Sequence, residues 1–138
     1  MLLSKAIEEE QKQLSVAAAF HDIGIWTANT FDYLEPSIQL AQKYLAENNL
    51  AQWSAPVVEI ICNHHKLSAY KKNTLAENFR QADLIDLSFG VFKFGLSSKQ
   101  IAETKKQYPS LGFHRFIFTT MLKNAIKHPF NPLLIVKW

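Results

Sequence analysis

The chain has 138 residues with 48% hydrophobic content, which predicts one domain of ordinary size with a core of its own. Charged residues amount to 20% and are scattered, which excludes a mainly disordered chain, and the single cysteine, Cys62, excludes an internal disulfide. The net charge of +3 suits a phosphate-bearing ligand, while the lack of a dense Lys/Arg run argues against a nucleic-acid-binding protein.

The predicted elements begin with two helices, at residues 2–13 and 14–22, and Gly24 is expected to end the second. Residues 25–34 are interpreted as a loop whose aromatic side chains pack down on the body. A third helix opens at Glu35-Pro36, because a proline in the first turn loses no hydrogen bond there. We expect it to end within residues 47–49.

The next two helices carry the most informative patterns. A fourth helix follows Ser54, and its apolar residues recur at i, i+3 and i+4, so that His64 at i+7 continues the buried face. A fifth helix opens with the capping-box pattern T-x-x-E at residues 74–77. One face of this helix mixes apolar and acidic residues, namely Phe79, Ala82, Asp83 and Asp86. Acids on an apolar face indicate a functional role rather than solubility.

The rest of the chain is predicted to add two more helices. Gly90 and Gly95 bracket a break before a second capping box at residues 97–100, which opens a helix to about residue 106. A last helix is predicted over residues 111–127, and the apolar segment 131–138 is expected to pack on the body. No segment alternates with the period of two that a strand requires. The prediction is an all-α fold, with residues 1–138 forming a single helical domain.

A His-Asp doublet, His21-Asp22, suggests a metal site. Consecutive helical residues point about 100° apart, close to the right angle between neighbouring positions of an octahedral ion. His21 and Asp22 can therefore fill two neighbouring positions, and Asp83 from another helix can supply a third. One imidazole with carboxylates favours Mn²⁺, Mg²⁺, Fe²⁺ or Co²⁺, with Ni²⁺ and Zn²⁺ left open. The alternative is a histidine that is favoured by the dipole at a helix end.

Three stretches carry a resemblance: AAFHDIG at residues 18–24, NHHK at 63–66 and RQADLID at 80–86. Their order and spacing resemble the HD-domain metal-dependent phosphohydrolases, over residues 14–90, and the rest of the chain is similar to a small bacterial branch of that family. The resemblance implies an HD-type helical bundle that hydrolyses phosphomonoesters or phosphodiesters, often of nucleotides.

The resemblance also implies roles for individual residues. His21, Asp22 and Asp83 would hold the metal, and His64 and His65 would bind a second ion or face the substrate phosphate. One of the two histidines can instead be a satisfied core residue.

Three further residues belong to the implied catalytic set. Lys66 and Arg80 would neutralise phosphate oxygens, and Asp86 would orient a ligand or the attacking water. The alternatives are solvated cations at Lys66 and Arg80, and a cap or a lysine-paired acid at Asp86.

The chain departs from the pattern of that family in two respects. The family has a first ligand histidine about 30 residues before the doublet, whereas the 20 residues before His21 contain none, so we expect the N-terminal first-ligand helix to be lacking. Glu35 stands where many two-metal relatives place a histidine. It can ligate, or it can simply favour the N-terminal dipole of its helix.

Two functions are therefore expected, in order. The first is a metal-dependent phosphohydrolase that cleaves a phosphomonoester or phosphodiester, with nucleotides among the candidate substrates. The alternative is a degenerate, non-catalytic HD domain that binds a nucleotide or a partner protein. A DNA-binding helical domain ranks last, because it is supported only by the net charge.

The expected setting is cytoplasmic. No apolar run approaches the roughly 20 residues that span a bilayer, and residues 1–10 lack the apolar core of a signal peptide, so no membrane partner is expected. No specific nucleic-acid partner is expected either. The apolar segment 131–138 and the short N-terminal part are consistent with a homodimer.

Overall fold

The computed structural model describes residues 2–28 and 32–127. Every regular element of these ranges is helical: α1 (Leu2–Phe20), α2 (Gly24–Thr27), α3 (Leu34–Glu47), a 3₁₀ turn (Ala51–Trp53), α4 (Ser54–Asn63), α5 (Leu75–Leu87), α6 (Ser98–Gln107) and α7 (Phe113–Lys127). The all-α prediction is thus confirmed, and the expected packing of residues 131–138 lies outside the described residues. None of the described helices is both long and apolar enough to span a bilayer.

Helix α4 lies at the centre of the core, where it packs against α1, α3 and α5. Its side chains at i, i+3 and i+4, namely Val57, Ile60 and Ile61, are at most 1% exposed. They pack with apolar residues of the neighbouring elements, which are Ala17, Ile38, Ala41, Leu45, Trp53 and Ala76. The predicted buried face of α4 is therefore confirmed. Because His64 follows directly on this face, its imidazole enters the interior at the end of the core.

The N-terminal helices differ from the prediction. Residues 2–20 form one continuous helix, because they contain neither a glycine nor a proline that would interrupt it. Gly24 begins α2 and does not end the helix before it. The His21-Asp22 doublet consequently lies on the turn between α1 and α2, directly after the last residue of α1, and not inside a helix that extends to residue 22 as expected.

The capping predictions have different outcomes for α5 and α6. Ser97 and Gln100 form the complete reciprocal box at the start of α6. At α5 the Thr74 side chain accepts from the Glu77 N–H, but the Glu77 carboxylate does not reach back, because it hydrogen-bonds Arg80.

The last helix starts at Phe113 and not at 111, since Leu111 and Gly112 have φ values of 48° and 90°.

Helix α7 reaches the rest of the molecule through aromatic and polar contacts. The Trp26 ring on α2 stacks on Phe116, with centroids 5.5 Å apart and planes 15° apart, and it also contacts Phe113. His114 Nε2 lies 3.1 Å from the carboxylate of Asp86 on α5. These contacts place the start of α7 beside the His21-Asp22 turn and one face of α5.

Candidate metal site

Side chains that are far apart in sequence meet at one end of the core. His21 Nε2 lies 3.3 Å from one oxygen of Asp22 and 4.0 Å from Asp83 Oδ1. His64 Nε2 and His65 Nε2 lie 3.5 Å and 4.0 Å from the other oxygen of Asp22. Within each of two groups, His21–Asp22–His64 and His64–His65–Asp83, the donor atoms all lie within 4.8 Å of one another. His21 therefore lies near both Asp22 and Asp83, as expected, while each of the two groups also includes His64. That His21, Asp22 and Asp83 are the metal ligands stays a prediction.

The imidazoles of His21 and His64 present the same nitrogen to this cluster. His21 Nδ1 lies 2.8 Å from the carbonyl of Ala18, and His64 Nδ1 lies 2.7 Å from the carbonyl of Ile61. Since a carbonyl oxygen can only accept, Nδ1–H is the donor in both rings. The Nε2 atom of each ring is then left with a lone pair that faces the carboxylates. A backbone carbonyl that fixes the tautomer in this way is typical of metal-binding histidines.

Two buried atoms in the cluster have no hydrogen-bond partner among the described residues, His64 Nε2 and Asp83 Oδ2. The His64 side chain is fully buried and that of Asp83 is 14% exposed. An unpartnered buried acceptor costs about 1–3 kcal/mol. Electron-pair donors that face one another at these distances attract a cation. The donor set of imidazoles and carboxylates fits a divalent metal ion.

The electrostatics of the three ligand candidates are coupled. Burial raises the pKa of Asp83 to about 6, although the neighbouring histidines oppose this shift. Burial acts in the same direction on Asp22, but the neighbouring imidazoles of His21 and His64 outweigh it and hold the pKa of Asp22 well below its ordinary value. For His21, burial lowers the pKa, yet Asp22 and Asp83 outweigh it and raise the pKa overall. The two carboxylates therefore differ strongly in how readily they ionise.

Tyr33 is a member of the site that no sequence motif predicts. Its side chain is 1% exposed, its hydroxyl donates to Asp22 Oδ1 at 2.8 Å, and it also hydrogen-bonds His65 Nε2. Burial, and then the charge of Asp22, raise the pKa of Tyr33, so the phenol stays protonated. The only sequence signal was an aromatic residue in a segment expected to pack down, which does not distinguish a hydroxyl donor from a core ring.

A cavity of about 660 Å³ opens beside the cluster, within the size range of small-molecule sites. His21, Asp22 and Asp83 form its polar wall. The rest of the lining is mainly aromatic and small residues, which include Trp26, Phe79, Tyr108, Pro109, Ser110 and Phe113. The acidic-apolar face predicted for α5 lines this cavity through Phe79, Ala82, Asp83 and Asp86.

Neither of the two predicted phosphate-binding cations lines the cavity. The Arg80 side chain is 2% exposed, forms two hydrogen bonds of 2.7 Å to the Glu77 carboxylate and donates to the carbonyl of Lys66. The ammonium of Lys66 lies over the ring of Tyr70, 5.2 Å from its centroid. In this structure Arg80 links the loop before α5 to the helix itself. A phosphate contact from Lys66 or Arg80 stays a prediction.

The last two sequence candidates occupy different places. Asp86 lines the cavity, and His114 Nε2 contacts both its carboxylate and its carbonyl oxygen at 3.1 Å. Glu35 is exposed on α3 and accepts a hydrogen bond from Gln39, so it is not part of the cluster. The residue of this segment that reaches the site is Tyr33.

No family model, no curated protein and no solved structure matches this chain.

Proposed function

We propose that this chain is a metal-dependent phosphohydrolase of the HD type. The observation that carries the proposal is the pair of buried acceptors without a hydrogen-bond partner, His64 Nε2 and Asp83 Oδ2, beside His21 and Asp22. A cation held by these four side chains would satisfy both acceptors and offset the carboxylate charges. The motif resemblance over residues 14–90 supports the same assignment.

The bound ion would act as a Lewis acid on a phosphoryl oxygen and lower the pKa of a coordinated water. Residues of the chain would orient the metal ligands. Ala18 and Ile61 hold the two imidazoles through their carbonyls, so that Nε2 of each ring faces the cluster. Asp86, whose carboxylate His114 holds at 3.1 Å, would accept a hydrogen bond from a water or a polar substrate group in the cavity.

The cavity favours a small organic phosphate with a flat apolar group. Its aromatic wall can contact a ring, and Trp26 is 56% exposed at its edge. None of the described lining residues is Lys or Arg, and Asp86 adds a negative charge. A single phosphate, neutralised by the metal alone, therefore suits the site better than a polyphosphate chain.

The test combines metal analysis with an activity screen. The chain would be stripped of metal, loaded with Mn²⁺, Mg²⁺, Co²⁺, Fe²⁺, Ni²⁺ or Zn²⁺ and assayed on p-nitrophenyl phosphate, bis-p-nitrophenyl phosphate and nucleoside monophosphates. We expect metal-dependent hydrolysis that falls at least about 100-fold in Asp22→Asn, since the variant loses a charged ligand. Glu35→Gln is the matched control, because Glu35 is exposed and outside the cluster, and it should retain full activity.

A non-catalytic binding domain is the second candidate function. The observation that favours it is the absence of Lys and Arg from the described cavity lining, because a transition state with developing negative charge has no protein cation to stabilise it. In this case nucleotides would raise the melting temperature without any metal, and no metal would give turnover. That pair of results would replace the enzyme proposal.

A homodimer stays a prediction that sedimentation velocity tests.

A further inference from the structure

We propose that Tyr33 is a positioning residue for the cation site, and that Gly24 allows Tyr33 to reach it. This inference depends on the proposed function, since it concerns the same donor cluster. The hydroxyl of Tyr33 holds the Asp22 oxygen that lies nearest His64 and His65. The other oxygen of Asp22 faces His21. Tyr33 therefore sets how the carboxylate divides its two oxygens between the histidines.

The direction of each hydrogen bond follows from proton counting. The phenol has one proton, and the 2.8 Å contact to the carboxylate oxygen of Asp22 takes it. In the hydrogen bond between Tyr33 and His65, the phenol oxygen is then the acceptor and His65 Nε2–H the donor. His65, Tyr33 and Asp22 thus form a chain, which we name the positioning chain. Because His65 Nε2 carries this proton, that nitrogen is not a metal ligand. His65 instead supports Asp22 through Tyr33.

Close backbone packing brings Tyr33 into this position. Gly24 donates its N–H to the buried Ser37 hydroxyl at 2.9 Å, and the N–H of Ser37 bonds the carbonyl of Tyr33 at 2.9 Å. A Cβ at position 24 would clash with that carbonyl and would lie 2.9 Å from Ser37 Oγ and 3.0 Å from Tyr33 Cβ. The glycine that follows the His-Asp doublet is therefore required for the approach of the segment that carries Tyr33.

Tyr33→Phe tests the proposal directly, because it removes the hydroxyl and keeps the buried ring. Co²⁺ alone is the probe, with affinity measured by titration calorimetry and ligand geometry by the visible absorption of the bound ion. We expect Co²⁺ to bind about 10–100-fold more weakly than to the unaltered chain, with a changed absorption spectrum. Gly24→Ala should show the same defect, and the two substitutions together should be less than additive, because both act through Tyr33.

Tyr70→Phe is the matched control. Its hydroxyl also donates to a carboxylate at 2.8 Å, on Glu59, which is not one of the residues that line the cavity. This variant should lose a similar hydrogen bond yet leave Co²⁺ affinity and spectrum unchanged. If Tyr33→Phe binds Co²⁺ with unchanged affinity and spectrum, the positioning role is wrong while the metal site stands. If the unaltered chain itself does not bind Co²⁺, the proposed function fails together with this inference.

A second variant tests whether His65 supports Asp22 through Tyr33 or binds the metal directly. In the positioning chain His65 acts through Tyr33, so His65→Ala should weaken Co²⁺ binding less than His21→Ala does. An equal loss in the two variants would make His65 a direct ligand and overturn this part of the proposal.

Discussion

At the scale of single residues, the cluster contains a carboxylate in an unfavourable place. Asp83 is mostly buried, one of its oxygens has no hydrogen-bond partner in the described part of the chain, and burial raises its pKa to about 6. Such a group destabilises the metal-free fold and becomes favourable only when a cation or a proton neutralises it. Burial of Asp83 therefore lowers the stability of the metal-free chain and favours a cation at the proposed site.

Asp83→Asn should separate these two effects. In the presence of EDTA at neutral pH, we expect the variant to be more stable than the unaltered chain by about 1–3 kcal/mol, because a neutral amide costs less to bury than an unpartnered carboxylate. Urea denaturation measures this difference. The control is Asp86→Asn, whose carboxylate is half-exposed and paired with His114, and which should give no such gain. A less stable Asp83→Asn chain would show that the carboxylate stabilises the fold without a metal.

At the scale of elements, the start of α5 is held by a buried ion pair. The Glu77 carboxylate accepts from Arg80, Gln81 and the backbone N–H of Tyr70, while Arg80 donates to the carbonyl of Lys66. The pair thus links the helix that carries Asp83 to the loop that follows His64 and His65. The hydrogen bond from Arg80, partly opposed by burial, lowers the pKa of Glu77 to about 2.

Glu77→Gln should lower the free energy of unfolding by about 3–5 kcal/mol near neutral pH, since it leaves Arg80 buried without its counter-charge. Because the folded-state pKa lies below the ordinary value of 4.5, the stabilisation is complete above about pH 5 and is lost as the pH falls toward 2. The difference between variant and unaltered chain should shrink over the same range in urea titrations. Glu8→Gln, which breaks the exposed Glu8–Lys12 pair, should cause no measurable change. A pH-independent difference would rule out the ion pair as its cause.

At the scale of the whole molecule, the cluster joins several elements. His21 and Asp22 follow α1, Tyr33 precedes α3, His64 follows α4, and Asp83 lies within α5. These are the helices that enclose the central core, so an ion in the cluster would crosslink the packed unit. Binding to the folded state alone stabilises it by about 2.7 kcal/mol when the free ligand is at 100 times its Kd.

Metal loading should therefore raise the melting temperature of the entire chain. We expect a rise of about 5–10 °C at saturating Co²⁺ or Mn²⁺, reversed by EDTA, in differential scanning fluorimetry. Asp22→Asn should lose this rise, whereas Tyr70→Phe should keep it. An equal rise in Asp22→Asn would indicate that the ion binds elsewhere on the protein.

The sequence by itself determined the helical class, the buried face of α4 and the cap of α6, and it named His21, Asp22 and Asp83 among the candidate ligands. The helical class, the apolar face and the cap follow from residue periodicity and local motifs, and the candidate ligands follow from the order of the motifs. Both kinds of pattern can be read directly along the chain. The first two predicted helices are in fact one helix, because no glycine or proline interrupts residues 2–20.

The tertiary structure alone decided which polar side chains face the cluster. It brought Tyr33 to Asp22, directed Arg80 to Glu77 and left Glu35 exposed on α3. The physical reason is that the partner of a polar side chain depends on how helices dock and how closely their backbones approach, as at Gly24 and Tyr33. A one-dimensional pattern specifies which face of an element is apolar, but not which distant group meets its hydrogen-bonding atoms.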